Sequence, residues 1–168
     1  MIFASCTKQT PEEYRISETL GKDLNLRMFD TIRFQGDSLS LDEVIQRFKY
    51  ISVVYLQNGC SPCYDKYVRW HKEMNKIAAN EIYTILFIIR GKNVEEFLNE
   101  VDLRDFVDHK YFIVMDPNYY YPEGNKEVIP DWMFERSILI DNTYKIRMVG
   151  QPFESDKSRA FFKSLILY

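Results

Sequence analysis

The residues best suited by type and spacing to do chemistry in this chain are the two sulfurs of Cys60-Ser61-Pro62-Cys63. Before them runs Tyr50 to Leu56, nearly continuous in β-branched and aromatic residues, the mark of a strand buried on both faces. Gln57-Asn58-Gly59 breaks it. After them Cys63, Tyr67, Trp70, Met74 and Ile77 recur at steps of four, three, four and three, which is one face of a helix. Cys60 therefore falls at a helix N-terminus, where unpaired backbone N–H groups and the positive dipole end favour a thiolate. Pro62 suits the first turn because its missing N–H has no partner to lose there. Cys63 lies on the apolar face and should be the more buried of the two. The pattern suits thiol–disulfide exchange: Cys60 attacks a substrate disulfide, and Cys63 then attacks Cys60 to resolve the mixed disulfide.

Other uses of a Cys pair stay open at this point. A structural zinc site needs four ligands, and only His71 and His109 are available, with no second Cys pair. A Cys–His hydrolase needs a His near Cys60, and nothing in the sequence puts His109 there. An inert structural disulfide also fits the spacing. His71 and His109 are flanked by Lys and are expected in solvent, while Trp70 and Trp132 are expected to pack. The carboxylates Glu95, Glu96, Asp131 and Glu135 are scattered, and no phosphate-binding or nucleophile-elbow motif is present. Tyr119-Tyr120-Tyr121 could rim a peptide groove.

The elements that must position the pair follow from periodicity. Ser40-Leu41-Asp42-Glu43 is a capping-box pattern ahead of a helix bearing Val44, Ile45 and Phe48. Ile82 to Ile89 reads as a second central strand, Asn93 as the cap of a helix with Val94, Phe97, Leu98 and Val101 inward, and Tyr111 to Met115 as a strand. Asn80 is the expected stop of the helix after Cys63, Tyr119 to Pro130 a loop, and Ser137 to Ile140 with Tyr144 to Val149 a hairpin. Ser155 is the expected cap of a last helix carrying Phe161, Phe162, Leu165 and Ile166. Thr31 to Phe34 and Leu24 to Met28 could be short strands. Strands alternating with helices mean an α/β sheet covered on both faces.

A chain of 168 residues, 46% apolar, is one ordinary domain, divided here into residues 1–6, an N-terminal extension 7–30 and a main domain 31–168. Its net charge of −3 argues against a nucleic-acid partner. Met1 to Cys6 runs from apolar to small residues to Cys, like the end of a bacterial lipoprotein signal. On that reading Cys6 is the lipidated residue, any membrane attachment is through it, and the remaining cysteines form an even pair in an oxidising compartment.

The strand–Cys60-x-x-Cys63–helix unit and the closing strand–strand–helix resemble the thioredoxin-like superfamily from about Thr31 onward. The extra strand ending at Asp116 resembles the insertion of TlpA/ResA-type envelope thiol-disulfide oxidoreductases. Gly59 to Cys63, Trp70-His71-Lys72, Phe134 to Asp141 and Gly150-Gln151-Pro152 are similar to thioredoxin-like lipoproteins of anaerobic Gram-negative bacteria. The resemblance implies an α/β thioredoxin-like fold: a central mixed sheet flanked by helices, with an extra strand before the C-terminal hairpin. It implies a thiol-disulfide oxidoreductase of the periplasm or cell envelope that acts on protein thiols and disulfides, needs no cofactor or metal, and is served by a redox partner. The other class of reading is a redox-silent module that binds a partner protein or peptide.

The family pattern also fixes expectations by position. Cys60 is the nucleophile and Cys63 the resolving thiol, with Ser61, Pro62 and Ser137 against the substrate. Gly59 stands where thioredoxins carry Trp, and Val54 where many carry a buried acid. The position of the family's cis-proline aligns with Arg136, in trans, with Pro130 as the other candidate. An Arg136 there is expected to bring a cation to Cys60 as an electrostatic helper.

Overall fold

The computed structural model describes residues 9–77 and 81–166, so Cys6 and Asn80 lie outside the described residues. Seven strands form one mixed sheet in the order β2-β1-β5-β4-β3-β6-β7. Strands β3 (Tyr50–Gln57), β4 (Tyr83–Arg90) and β5 (Phe112–Met115) run parallel. β6 (Ile138–Asp141) pairs antiparallel with β3, and β7 (Ile146–Val149) continues that side. On the other side β1 (Thr31–Phe34) runs antiparallel to β5, and β2 (Asp37–Ser40) forms the edge. The helices are α1 (Pro11–Thr19), α2 (Leu41–Arg47), α3 (Ser61–Ile77), α4 (Val94–Asp102), α5 (Tyr120–Asn125) and α6 (Asp156–Ile166).

Period-two alternation along the central strands divides the core between the two faces. Ile85, Phe87 and Ile89 of β4 pack with Tyr67, Trp70 and Met74 of α3, Phe97 and Val101 of α4, and Phe162 of α6. Leu86 and Ile88 face the opposite way, onto Val44 and Ile45 of α2 and onto Leu24, Leu26 and Ile129. A strand with cores on both sides has no polar face, which explains the unbroken apolar run of β4. The inward faces expected for α3 and α4 are the ones observed; on α6, Phe162 and Ile166 are buried but Phe161 stays exposed.

Several local expectations need correcting. Leu24 to Met28 is not a strand: only Asp23 makes a bridge, to Lys145, yet Leu24 and Leu26 are buried, so their alternation reflects extended chain laid over the core. The expected loop after Asp116 contains α5. Asp116 is fully buried and accepts hydrogen bonds from the Tyr120 and Tyr121 N–H groups at 2.8 and 3.0 Å, which caps that helix.

His71 is not in solvent but 1% exposed, stacked on Phe87 and beside Tyr67 and Tyr111. Its Nδ1–H donates to the Tyr67 carbonyl at 3.1 Å, and its Nε2 is buried without a hydrogen-bond partner. Being flanked by Lys said nothing of the helix face His71 occupies. Burial lowers its pKa from 6.5 to about 4, against the Tyr67 hydrogen bond and Asp108, which raise it. The unfolded chain thus binds a proton that the folded chain refuses. Stability should fall as pH drops from about 6.5 to 4, by up to about 3 kcal/mol from this residue. Urea denaturation across that range should show a shallower fall for His71→Phe than for the native chain; parallel curves would contradict the assignment.

Candidate active site

The turn between β3 and α3 is built around a backbone bend at Gly59, whose φ of +78° is the left-handed region open to glycine. The Asn58 N–H continues the β3–β4 ladder to the Arg90 carbonyl at 2.9 Å. The Gly59 N–H donates to the Tyr64 hydroxyl at 2.7 Å, and that hydroxyl donates to Asn58 Oδ1 at 2.8 Å. Tyr64, in the first turn of α3, thus fastens the helix to the strand end. Cys60 follows as the helix cap: its carbonyl accepts from the Cys63 and Tyr64 N–H groups at 2.9 and 3.4 Å. Cys60 and Cys63 are joined in a disulfide, with Cα atoms 5.2 Å apart. Both are partly buried, and Cys63 packs against the core cluster containing Val54, Tyr64 and Tyr67.

The pair opens into a cleft of about 470 Å³. Its walls are Tyr55, Leu56 and Gln57 of β3, Lys66 of α3, Arg90 of β4, Tyr119, and Asp131, Phe134 and Glu135 from the segment before β6. Tyr55 lies within ring contact of Tyr119, Tyr121 and Phe134, making an apolar floor. Of the three tyrosines expected at a groove, Tyr119 lines the cleft, Tyr121 is buried beneath it, and Tyr120 is exposed. Lys66 Nζ donates to the Glu135 carbonyl at 2.6 Å, tying α3 to the segment before β6.

The other expected site residues are placed as follows. Pro62 lines the cleft, and Ser61 Oγ accepts from Arg104 Nη2 at 3.2 Å. Arg104 also stacks over the Tyr64 ring at 4.4 Å and pairs with Asp65, so α4's end adds a cation beside the start of α3. Val54 is fully buried, and no carboxylate occurs on β3. Trp70 is buried; Trp132 is partly exposed under the Arg136 guanidinium.

Two expected residues are not brought to the sulfurs. Arg136 forms an ion pair with Glu12 of α1, and its side chain lines a separate recess with Trp132. The electrostatic helper expected from alignment alone is therefore turned away, because α1 offers it a carboxylate. Ser137 is buried and its hydroxyl donates to the Gly150 carbonyl at 2.7 Å, so it fastens β6 to the end of β7 and does not line the cleft. Pro130 is trans, as are all described peptide bonds. Lys66 and Arg104 went unread because both sit in ordinary charged stretches, although Lys66 follows Cys63 by three residues, a spacing that places both on one helix side.

The chain matches no protein-family model and no curated protein sequence. Solved structures do share its architecture. The thioredoxin domain of a thiol-disulfide oxidoreductase from Bacteroides vulgatus superposes with a TM-score of 0.58 at 18% identity, covering 88% of this chain and 97% of that one. A thiol-disulfide oxidoreductase from Bacteroides fragilis gives 0.58 at 14% identity, covering 86% and 99%. A thioredoxin from Wuchereria bancrofti gives 0.56 at 11%, covering 88% and 99%. The fold is thioredoxin-like. The mixed sheet, its flanking helices and the extra strand β5 before the hairpin are as the resemblance implied.

Cys60 has the helix terminus to itself, and Cys63 is turned toward the core. After reduction, Cys60 should react with iodoacetamide at pH 7 at least about tenfold faster than Cys63. Mass spectrometry of partially alkylated protein reads the ratio; equal rates, or a faster Cys63, would defeat the helix-terminus account.

Proposed function

We propose that this protein carries out thiol–disulfide exchange with other proteins through Cys60 and Cys63. The observation that carries the reading is the disulfide itself, set at the cap of α3 and open to a cleft with an apolar floor. In the reducing direction, the Cys60 thiolate attacks one sulfur of a substrate disulfide. The substrate's other sulfur leaves as a thiolate and takes a proton. Cys63 then loses its proton, attacks Cys60 and releases the second substrate sulfur as a thiol. Two electrons pass from protein to substrate, Cys63 supplies one proton and solvent the other, and the Cys60–Cys63 bond is restored. No cofactor enters, because the electrons reside on the sulfurs.

Ser61 and Pro62, beside the sulfurs, are the residues assigned to substrate contact. Arg136 and Ser137, engaged with Glu12 and Gly150, receive no such role. An envelope location accords with a cysteine pair held as a disulfide and with the resemblance to envelope oxidoreductases. Lipid attachment at Cys6 belongs to the same proposal. No helix among the described residues is long and apolar enough to cross a membrane. A redox partner must regenerate the pair after each turnover.

Reduction of insulin disulfides by the dithiothreitol-reduced protein tests the reading. Cys60→Ser should lower the rate by about a hundredfold or more, to the level of dithiothreitol alone. A native chain no faster than Cys60→Ser would favour the redox-silent binding module instead.

A further inference from the structure

Exchange requires the resolving thiol to lose its proton inside the protein before it can attack. Cys63 packs against the apolar core, and the strand beneath contributes Val54, so no acid on β3 can serve as base. The groups facing the cleft can be taken element by element. From β3 comes the Tyr55 hydroxyl, and burial raises its pKa well above the usual phenol range, so it stays protonated. From β4 comes Arg90, a fixed cation lying over the Tyr119 ring at 4.7 Å. From the segment before β6 come Asp131 and Glu135, both exposed and hydrated at the rim. From α3 itself comes Lys66, one turn after Cys63 and partly buried in the same cleft.

Resting on the exchange reading above, we propose that the Lys66 amine is the proton acceptor for the Cys63 thiol. Residues three apart on a helix are neighbours, and a four-carbon stem gives the amine reach toward Cys63. The hydrogen bond from Nζ to the Glu135 carbonyl holds the group in the cleft rather than in bulk water. Burial brings its pKa from 10.5 down to about 8, against the Glu135 carboxylate, which raises it. A lysine brought down toward the thiol range is a better proton acceptor than one in bulk water, and the shared cleft sets it beside Cys63. In the reducing direction the amine takes the Cys63 proton and becomes ammonium. The Cys63 thiolate attacks Cys60, and the ammonium returns the proton to the departing substrate thiolate. The lysine is regenerated, the Cys63 proton ends on the substrate sulfur, and two electrons pass as before. In the oxidising direction the same steps run backwards.

The reaction of the reduced protein with 5,5′-dithiobis(2-nitrobenzoate) separates the two sulfurs. Attack by Cys60 releases one thionitrobenzoate, and resolution by Cys63 releases the second. Lys66→Met should slow the second release about tenfold at pH 7, with the gap closing near pH ~9.5 as the thiol ionises unaided. Lys66→Gln keeps a donor for the Glu135 carbonyl but cannot accept a proton, and should slow it equally. Lys66→Arg keeps the charge but holds its proton, and should also be slow at pH 7. A second phase unchanged in Lys66→Met or Lys66→Gln would overturn the assignment alone. Full rescue by Lys66→Arg would overturn it too, making Lys66 a fixed charge. A native chain that never releases the second thionitrobenzoate would defeat the exchange reading together with the assignment.

Discussion

The positive end of the α3 dipole, meeting Cys60 at the first turn, is the feature on which the rest of this molecule depends. A helix terminus favours an anion only if the sulfur is held at it, and here two devices do the holding. Gly59 turns the chain sharply out of β3, and the Tyr64 hydroxyl bridges Asn58 and the Gly59 N–H, so the first turn of the helix is fastened to the strand it follows. Farther along, Tyr67, Trp70 and Met74 anchor α3 on the sheet. Their burial, roughly 2 kcal/mol or more for each large side chain, fixes the helix axis and therefore the direction its amides face. A rigid element of this kind is better suited than a loop to hold two sulfurs in register.

No acid lies beneath the sulfurs on β3, and the buried carboxylate of Asp116 is engaged in capping α5. Removing a carboxylate from water beneath the sulfurs would cost several kcal/mol unless it were paired, and Val54 avoids that cost. Cations enter instead from the sides. Lys66 reaches in from α3 and Arg104 lies over the first turn from the end of α4, each tied down by a hydrogen bond or ring contact. Asp131 and Glu135 stand opposite them, exposed at the rim, in a protein whose net charge is −3.

Legibility in the sequence followed the strength of each local signal. The central strands and α3 were readable because burial on two faces or on one helical stripe writes a period into the residues. The Ser40 capping box was readable because an apolar stripe follows it. Thr10-Pro11-Glu12-Glu13 makes an equally good capping box, with both reciprocal bonds formed, yet α1 escaped notice because it buries only Thr19 and so has no stripe. β2 is a polar edge strand, which looks like loop for the same reason. α5 contains Pro122 and Gly124, so its composition says turn; its cap, Asp116, is supplied by the end of the preceding strand. At the site, Cys60, Cys63 and Pro62 were legible from spacing. Alignment put Arg136 at the family's proline position but could not show where its side chain turns, since that depends on Glu12 in a helix whose existence was not apparent.

Under the proposed exchange, the segment before β6 shows why that difference would bear on how a substrate is held. An extended chain added beside a strand is recognised through free backbone N–H and C=O groups. Here the Phe134 N–H is bonded to the Asp131 carbonyl at 3.2 Å and the Arg136 N–H to the Met133 carbonyl at 3.0 Å. The Glu135 carbonyl is taken by Lys66. Those groups are already satisfied within the protein, and an incoming chain must displace them or do without them. What the cleft offers freely is side-chain surface: the aromatic floor of Tyr55, Tyr119 and Phe134, with Asp131, Glu135 and Arg90 around it. Recognition built on an apolar floor and a charged rim depends on the side chains flanking a substrate cysteine more than on its backbone register. If Lys66 also carries the resolving proton, releasing its bond to Glu135 would free a carbonyl for substrate and an amine for Cys63 together, joining binding to chemistry through one side chain.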